Sequence, residues 1–309
     1  MRLRALSFLF GLWLAHPALA GYRIQLLDPP GAQASQAFKI NETGEVVGTY
    51  WENGGAHGFV YGDGVFDTVD YPGAAETRLL GLDDSGNAVG AYRADDGWHG
   101  FQAGLDTGGV PAVADSFVTA INNSAEFVGY WGPPGASHGF LNSFGTLHDP
   151  VDVPSATSTV LMGINDAGQI AGFYADVGGT HHGFYQNPDG ALTTLDFGGQ
   201  GVLGTYAQGI DANGLVVGYF DQQLGATVAS HGFLWSGGAF TLFDVAEATA
   251  TRLFGSNLAG QLVGEFTDAQ GVRHGFLATP GTVPEPGMLA LLGGGLVSLF
   301  AWRVRTVSG

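Results

Sequence analysis

The chain has 309 residues, room for one or two domains, with a formal net charge of −18 at pH 7 and no cysteine. That charge excludes a nucleic-acid partner, because only Arg23, Lys39, Arg78, Arg93, Arg252 and Arg273 lie between the two end segments and no basic face can be assembled from them. The missing cysteines exclude thiol catalysis and disulfide bracing, while 45% hydrophobic content with 21 Phe and 53 Gly describes a folded chain full of tight turns.

Residues 1–20 carry Arg2 and Arg4, an apolar run from Ala5 to Leu14, and then Ala18-Leu19-Ala20. Basic, apolar and small residues in that order read as a secretory signal peptide, with cleavage after Ala20 leaving Gly21 as the new N-terminus. The segment Tyr22 to Ala32 that follows matches Phe66 to Ala74, which is the end of a repeat unit rather than its beginning.

Six repeat units fill residues 21–281, each anchored by His-Gly-Phe at His57, His99, His138, His182, His231 and His274. The period is about 43 residues, within the range of propeller and solenoid repeats. Ahead of each anchor lies a turn such as Asn41-Glu42-Thr43-Gly44, Asp83-Asp84-Ser85-Gly86 or Asn165-Asp166-Ala167-Gly168, followed by a strand such as Val46-Val47-Gly48-Thr49-Tyr50. Asn or Asp opens such a turn by bonding its own backbone, and Gly at the fourth place accepts positive φ. The turn is degraded in two units, at Asn122-Asn123-Ser124-Ala125 and Asn257-Leu258-Ala259-Gly260.

Short β-branched and aromatic runs between turn residues predict strands. Each unit supplies four: an inner strand such as Thr77 to Leu82, the Val-Gly-Tyr strand, the His-Gly-Phe strand and a last strand such as Val65 to Asp70 or Phe240 to Asp244. The expected fold is all-β, a six-bladed β-propeller whose last blade is completed by the N-terminal strand, which removes an exposed edge. A β-solenoid would have no need of that displaced strand. The glycine of Val-Gly-Tyr is expected to let a neighbouring sheet approach closely.

Six equivalent histidines suggest a ligand ring, but a third strand lies too far from the axis for them to converge. A structural role is expected, each histidine holding a turn or a backbone carbonyl. Asp28, Asp70, Asp152, Asp196 and Asp244 recur at the end of the last strand and read as turn formers. The acidic turns could offer oxygens to calcium, yet the EF-hand pattern is absent and no cofactor is expected. No pair among 28 acidic residues is marked as a glycosidase pair, and neither a nucleophile elbow nor a phosphate-binding loop occurs. Tyr50, Trp51, Tyr130, Trp131, Phe173, Tyr174, Tyr219 and Phe220 follow the Val-Gly pair, where they either fill the space between blades or offer a face for sugar stacking. Gly198-Gly199-Gln200-Gly201 and Gln222-Gln223-Leu224-Gly225 make the unit between His182 and His231 the longest, as extra loop material.

At the other end, Val283-Pro284-Glu285-Pro286 precedes an apolar run over 287–302, expected as a short helix, and Arg303-Val304-Arg305. Motif, apolar segment and basic tail in this order resemble the PEP-CTERM sorting signal of Gram-negative bacteria, over residues 282–309. The resemblance implies recognition by an exosortase, transient anchoring in the inner membrane, cleavage near the motif, and delivery to the cell surface or extracellular matrix. The repeats resemble the extracellular HAF-repeat family, whose units carry His-Ala-Phe where all six here read His-Gly-Phe. Together these resemblances imply an exported, non-enzymatic surface or matrix protein that binds exopolysaccharide or another surface protein. The alternative is a polysaccharide hydrolase or lyase on the same scaffold.

Overall fold

The computed structural model describes residues 21–102 and 110–281; the expected signal peptide with Ala18 and Ala20, the Val283 to Pro286 motif and the helix over 287–302 lie outside them. All regular elements among the described residues are strands. β1 spans Tyr22–Leu26, and the first unit is β2 (Ala34–Ile40), β3 (Val46–Glu52), β4 (Gly55–Gly62) and β5 (Val65–Thr68). The second is β6 (Thr77–Leu82), β7 (Ala88–Ala94) and β8 (Gly97–Gln102); the third is β9 (Ser116–Ile121), β10 (Phe127–Trp131), β11 (His138–Ser143) and β12 (Thr146–His148). The fourth is β13 (Ser158–Ile164), β14 (Ile170–Ala175), β15 (His181–Gln186) and β16 (Leu192–Leu195). The fifth is β17 (Val202–Ile210), β18 (Val216–Leu224), β19 (Thr227–Ser236) and β20 (Ala239–Phe243), and the sixth is β21 (Ala250–Ser256), β22 (Leu262–Thr267) and β23 (Arg273–Pro280).

Within each unit the strands pair antiparallel in chain order, and β1 joins the sixth unit by pairing with β23 from Tyr22↔Pro280 to Leu26↔Phe276. One parallel bridge, His181↔Gly204, links the fourth and fifth units. Among the described residues no sheet closes on itself through hydrogen bonds. The first and last units meet instead through side chains: Phe38 stacks on Phe254 at 5.2 Å, and Leu27, Ala37, Val46 and Phe59 share a core with Val263 and Leu277. Antiparallel units arranged this way form a β-propeller.

The anchor phenylalanines are the centre of each unit's packing. Phe59, Phe140, Phe184, Phe233 and Phe276 are fully buried, and each contributes about 1.5–3 kcal/mol by leaving water. Their placement explains two sets of glycines. A Cβ on Gly48 or Gly129 would run into the ring of Phe59 or Phe140 in the same unit and into the carbonyl of Gln36 or Phe117, so this glycine makes room within its own sheet, not for a neighbouring one. The expected approach of a neighbouring sheet occurs at the anchor glycine instead, where a Cβ on Gly58 would lie 2.8 Å from Leu79 Cγ and one on Gly139 2.8 Å from Leu161 Cγ, both in the next unit. The reason is register: Gly48 sits directly opposite Phe59, so the aromatic ring folds across it.

The long fifth unit also differs from expectation. Gln222, Gln223 and Leu224 are not loop residues but prolong β18, pairing with Ala229, Val228 and Thr227 of β19. β-branched Thr227 and Val228 favour this extension, and Gly225 supplies the turn at φ 64°.

Candidate functional site

The six anchor histidines stay within their own units. His57, His138, His182, His231 and His274 bring Nδ1 to 2.7–2.9 Å from a carboxylate of Asp70, Asp152, Asp196, Asp244 and Asp28 respectively. Their partner is therefore the recurring aspartate, not a carbonyl, and the two motifs form one device. The second oxygen of Asp70 and Asp152 accepts the amide of the following Gly58 and Gly139. In the second unit His99 uses Nε2 and pairs with Asp96 at 2.7 Å. Each anchor imidazole also lies against an aromatic ring, as in Tyr50–His57 at 5.3 Å and Tyr174–His182 at 5.1 Å, which places Tyr50, Tyr174 and Phe220 between strands.

A third member of this device carried no recognised signal. Thr77, Thr159, Thr205 and Thr251 each accept a backbone amide from the loop that follows the aspartate, at Tyr71, Val153, Phe197 and Val245. The spacing from Asp to Thr is constant in three of these units, and that regularity was the available clue. Where the first unit meets the last, Ser35 of β2 takes the same place, donating to Asp28 at 2.5 Å and accepting from Gly275 N at 2.6 Å. A serine, an aspartate and a histidine thus meet, but the hydroxyl bonds the carboxylate rather than His274, so the imidazole cannot activate it as a nucleophile.

One end of the propeller axis is a narrow mouth of about 100 Å³ lined by all six units. The buried turn residues Asn41, Asn122, Asn165 and Asn257 donate through Nδ2 to the carbonyls of Asp83, Asn165, Asp211 and Asn41, binding each unit to the next. Outside them, Asn123 bridges Asp84 at 2.7 Å and Asp166 at 2.8 Å. Burial pushes the Glu42 carboxyl up, with Asp84, Asp211 and Asp166 adding to the effect. The carboxylates proposed for calcium are engaged in turn and inter-unit bonds, and among the described residues no three His, Asp or Glu side chains are grouped to hold a metal ion. Lys39 is the one long side chain in a ring otherwise made of Gly81, Ala120, Gly163, Gly209 and Gly255. It lies half-buried along the channel, with Nζ bonded to the carbonyls of Gln208 and Phe254. Burial lowers its pKa to about 7.

On the opposite side, the inner strands open into a cavity of about 540 Å³. Trp98, Phe117, Tyr130, Phe173 and Tyr219 supply its aromatic walls, and Asp115, Ser137, Ser158, His181 and Gln208 its polar groups. Phe117 stacks on Tyr130 at 5.0 Å, and Tyr206 on Tyr219 at 4.7 Å. Burial pushes the Tyr130 phenol up to about 12 and that of Tyr219 up as well, so both hydroxyls remain neutral donors. The aromatic residues that follow the Val-Gly pair therefore divide: Tyr130, Phe173 and Tyr219 line the cavity, whereas Tyr50, Tyr174 and Phe220 pack beside the anchor histidines. His181, next to the anchor His182, also reaches the cavity, 3.3 Å from the Tyr206 hydroxyl. Above the walls, Arg78 lies 4.4 Å from the Trp98 ring and Arg252 lies 4.9 Å from Tyr219, while buried Glu265 pairs with Arg252 and Arg273.

No curated protein sequence matches this chain. Among solved structures it is similar to the six-bladed β-propeller lectin of Aleuria aurantia, with 12% identity and a TM-score of 0.44, over 85% of this chain and 100% of the lectin. It is also similar to YCF48 bound to D1 peptide, with 11% identity and a TM-score of 0.42, over 87% of this chain and 98% of that one. What those proteins bind is a property of theirs. The family model of the PEP-CTERM protein-sorting motif matches residues 282–305, so the chain carries this sorting motif, which implies export, recognition by an exosortase, and a C-terminal tail held in the membrane before processing.

Proposed function

We propose that residues 21–281 form a six-bladed β-propeller closed by β1, and that it is a non-enzymatic surface or matrix protein which binds exopolysaccharide in the aromatic cavity. The cavity carries this reading. Its volume, its aromatic walls and its few polar groups are those of a ligand pocket, and stacked rings beside neutral hydroxyl donors suit the faces and hydroxyls of sugars. Cleavage after Ala20 and exosortase processing at Pro284-Glu285-Pro286 would deliver it to the surface or matrix, with its units as HAF-type repeats in which glycine replaces alanine. Hydrolysis is less well supported, because Asp115 is the sole carboxylate lining the cavity among the described residues and a glycosidase needs two.

The test mixes the full-length protein, held in mild detergent, with exopolysaccharide from the producing bacterium and follows both co-sedimentation and polymer mass. Retention with unchanged mass is expected. Shortened polymer would replace the binding role by an enzymatic one, and no retention would remove polysaccharide as the partner.

A further inference from the structure

The basic residues of this acidic chain are unevenly placed. Of the six between the end segments, Arg23 lies on β1, the outermost strand of its unit, and Lys39 lies in the channel. The other four each lie against an aromatic ring: Arg78 and Arg93 against Trp98 and Arg252 against Tyr219, two of the cavity walls, and Arg273 against Trp51. Three have carboxylates within reach. Arg252 and Arg273 share Glu265, and Arg93 lies 3.7 Å from Glu76. Among the described residues Arg78 has no ion pair, and its Nε is enclosed without a hydrogen-bond partner. A guanidinium that has given up water at this atom without gaining an acceptor is an unfilled site for one.

The nearby acids do not supply that acceptor. Glu76, whose charge acts on Arg78, lies 3.7 Å from Arg93 instead, and Asp115 is turned to the Trp98 amide at 3.4 Å. On the inner strands the residue before each bulge is, in unit order, Gln36, Arg78, Phe117, Val160, Tyr206 and Arg252. Arg78 thus stands beside Phe117 of the adjoining unit, and it lies 4.4 Å from the ring of Trp98, which lines the cavity.

We propose that the glycan held in the cavity bears carboxylate groups, as uronic acid residues do, and that Arg78 binds one carboxylate while the sugar ring stacks on the neighbouring aromatic walls. This inference rests on the cavity being a glycan site. Guanidinium and carboxylate match as planar, bidentate partners, and the Trp98 ring 4.4 Å away supports the guanidinium by a cation–π contact. The overall negative charge does not forbid an acidic polymer, since at physiological ionic strength charges beyond about 8 Å are screened and the local guanidinium decides.

The experiment measures binding of full-length protein in detergent to oligogalacturonate, to the same oligomer with its carboxyl groups reduced to alcohols, and to exopolysaccharide from the producing bacterium. Wild type is expected to bind the uronate at least tenfold tighter than the reduced oligomer. Arg78→Gln is expected to erase that difference and leave the weaker binding of the reduced oligomer unchanged, and Arg78→Lys to restore part of it. Equal binding of both oligomers by wild type, or binding of exopolysaccharide with neither, would overturn the carboxylate assignment and leave the glycan site standing. Failure to bind any saccharide would overturn both. If Arg78→Gln fails to fold by circular dichroism, the wild-type ratio between the two oligomers still decides.

Discussion

The two ends of the channel are built from the same repeat positions and have opposite characters. At the narrow mouth one chemistry recurs around the ring: Asn or Asp in all six units, with the four asparagines each bonded to the neighbouring unit. Towards the other end the inner-strand position before the bulge changes in nearly every unit, from Gln36 through Arg78, Phe117, Val160 and Tyr206 to Arg252, and Phe117 and Val160 line the cavity. Residues that repeat satisfy one another. Residues that break the repeat leave a cavity, neutral hydroxyls and an unpartnered guanidinium, which is where binding capacity collects.

Substitutions on the repeating side should therefore lower stability and spare binding. Phe184→Ala empties a fully buried site in the fourth unit and is expected to cost about 3–5 kcal/mol in denaturant unfolding. A melting point equal to that of wild type would mean that the anchor does not organise its unit. Asn257→Ala removes both the bonds inside its turn and the link to the Asn41 carbonyl that joins last unit to first, for a loss of about 1–3 kcal/mol. On the cavity side the pattern should reverse. Phe117→Leu keeps apolar volume but removes the ring stacked on Tyr130, and about tenfold weaker exopolysaccharide binding, or about 1.4 kcal/mol, is expected with little change in melting temperature. A variant that melts early yet binds normally would place Phe117 among the structural residues.

The turns test the repeating side more finely. In five units the fourth turn residue is glycine at φ of 71–88°, but in the third it is Ala125 at φ 59°. A left-handed alanine costs roughly 1–2 kcal/mol, partly offset by the greater freedom of glycine in the unfolded chain. Ala125→Gly is expected to raise stability by about 0.5–1 kcal/mol, and an unchanged or lower melting point would show that this turn is not strained.

What the sequence made legible divides along the same line. Turns, strand order and the displaced strand Tyr22–Leu26 follow from local chemistry that recurs six times, so periodicity averages out its noise. The His–Asp pairing was harder to read, because both residues have local explanations and the partners are brought together only by strand register, or across the whole chain for His274 and Asp28. The cavity was the least legible. Its walls come from four units, and those four carry different residues, Arg78, Phe117, Val160 and Tyr206, at the position before the bulge, so no pattern along the chain announces it.

The response to pH sets the anchor histidines against Lys39, because the two pull in opposite directions. His231 is raised above its ordinary value by its bond to Asp244, against burial; His182 and His274 are lowered by burial but raised further by two carboxylates each. A histidine raised in the folded state stabilises fully below its unfolded value of about 6.5, and that contribution is lost as pH rises through the folded value. Lys39 has the other sign: lowered to about 7 in the folded chain, it disfavours folding while protonated, and stability recovers from about pH 7 towards its unfolded value near 10.4. Melting curves of wild type, His231→Asn and Lys39→Met separate the two. The histidine variant should flatten the fall in stability just above pH 6.5, and the lysine variant the rise above pH 7. Because the His–Asp pairs are partly open to solvent, their share is small. A Lys39→Met curve parallel to wild type above pH 7 would mean that the channel keeps this amine as solvated as it is in the unfolded chain.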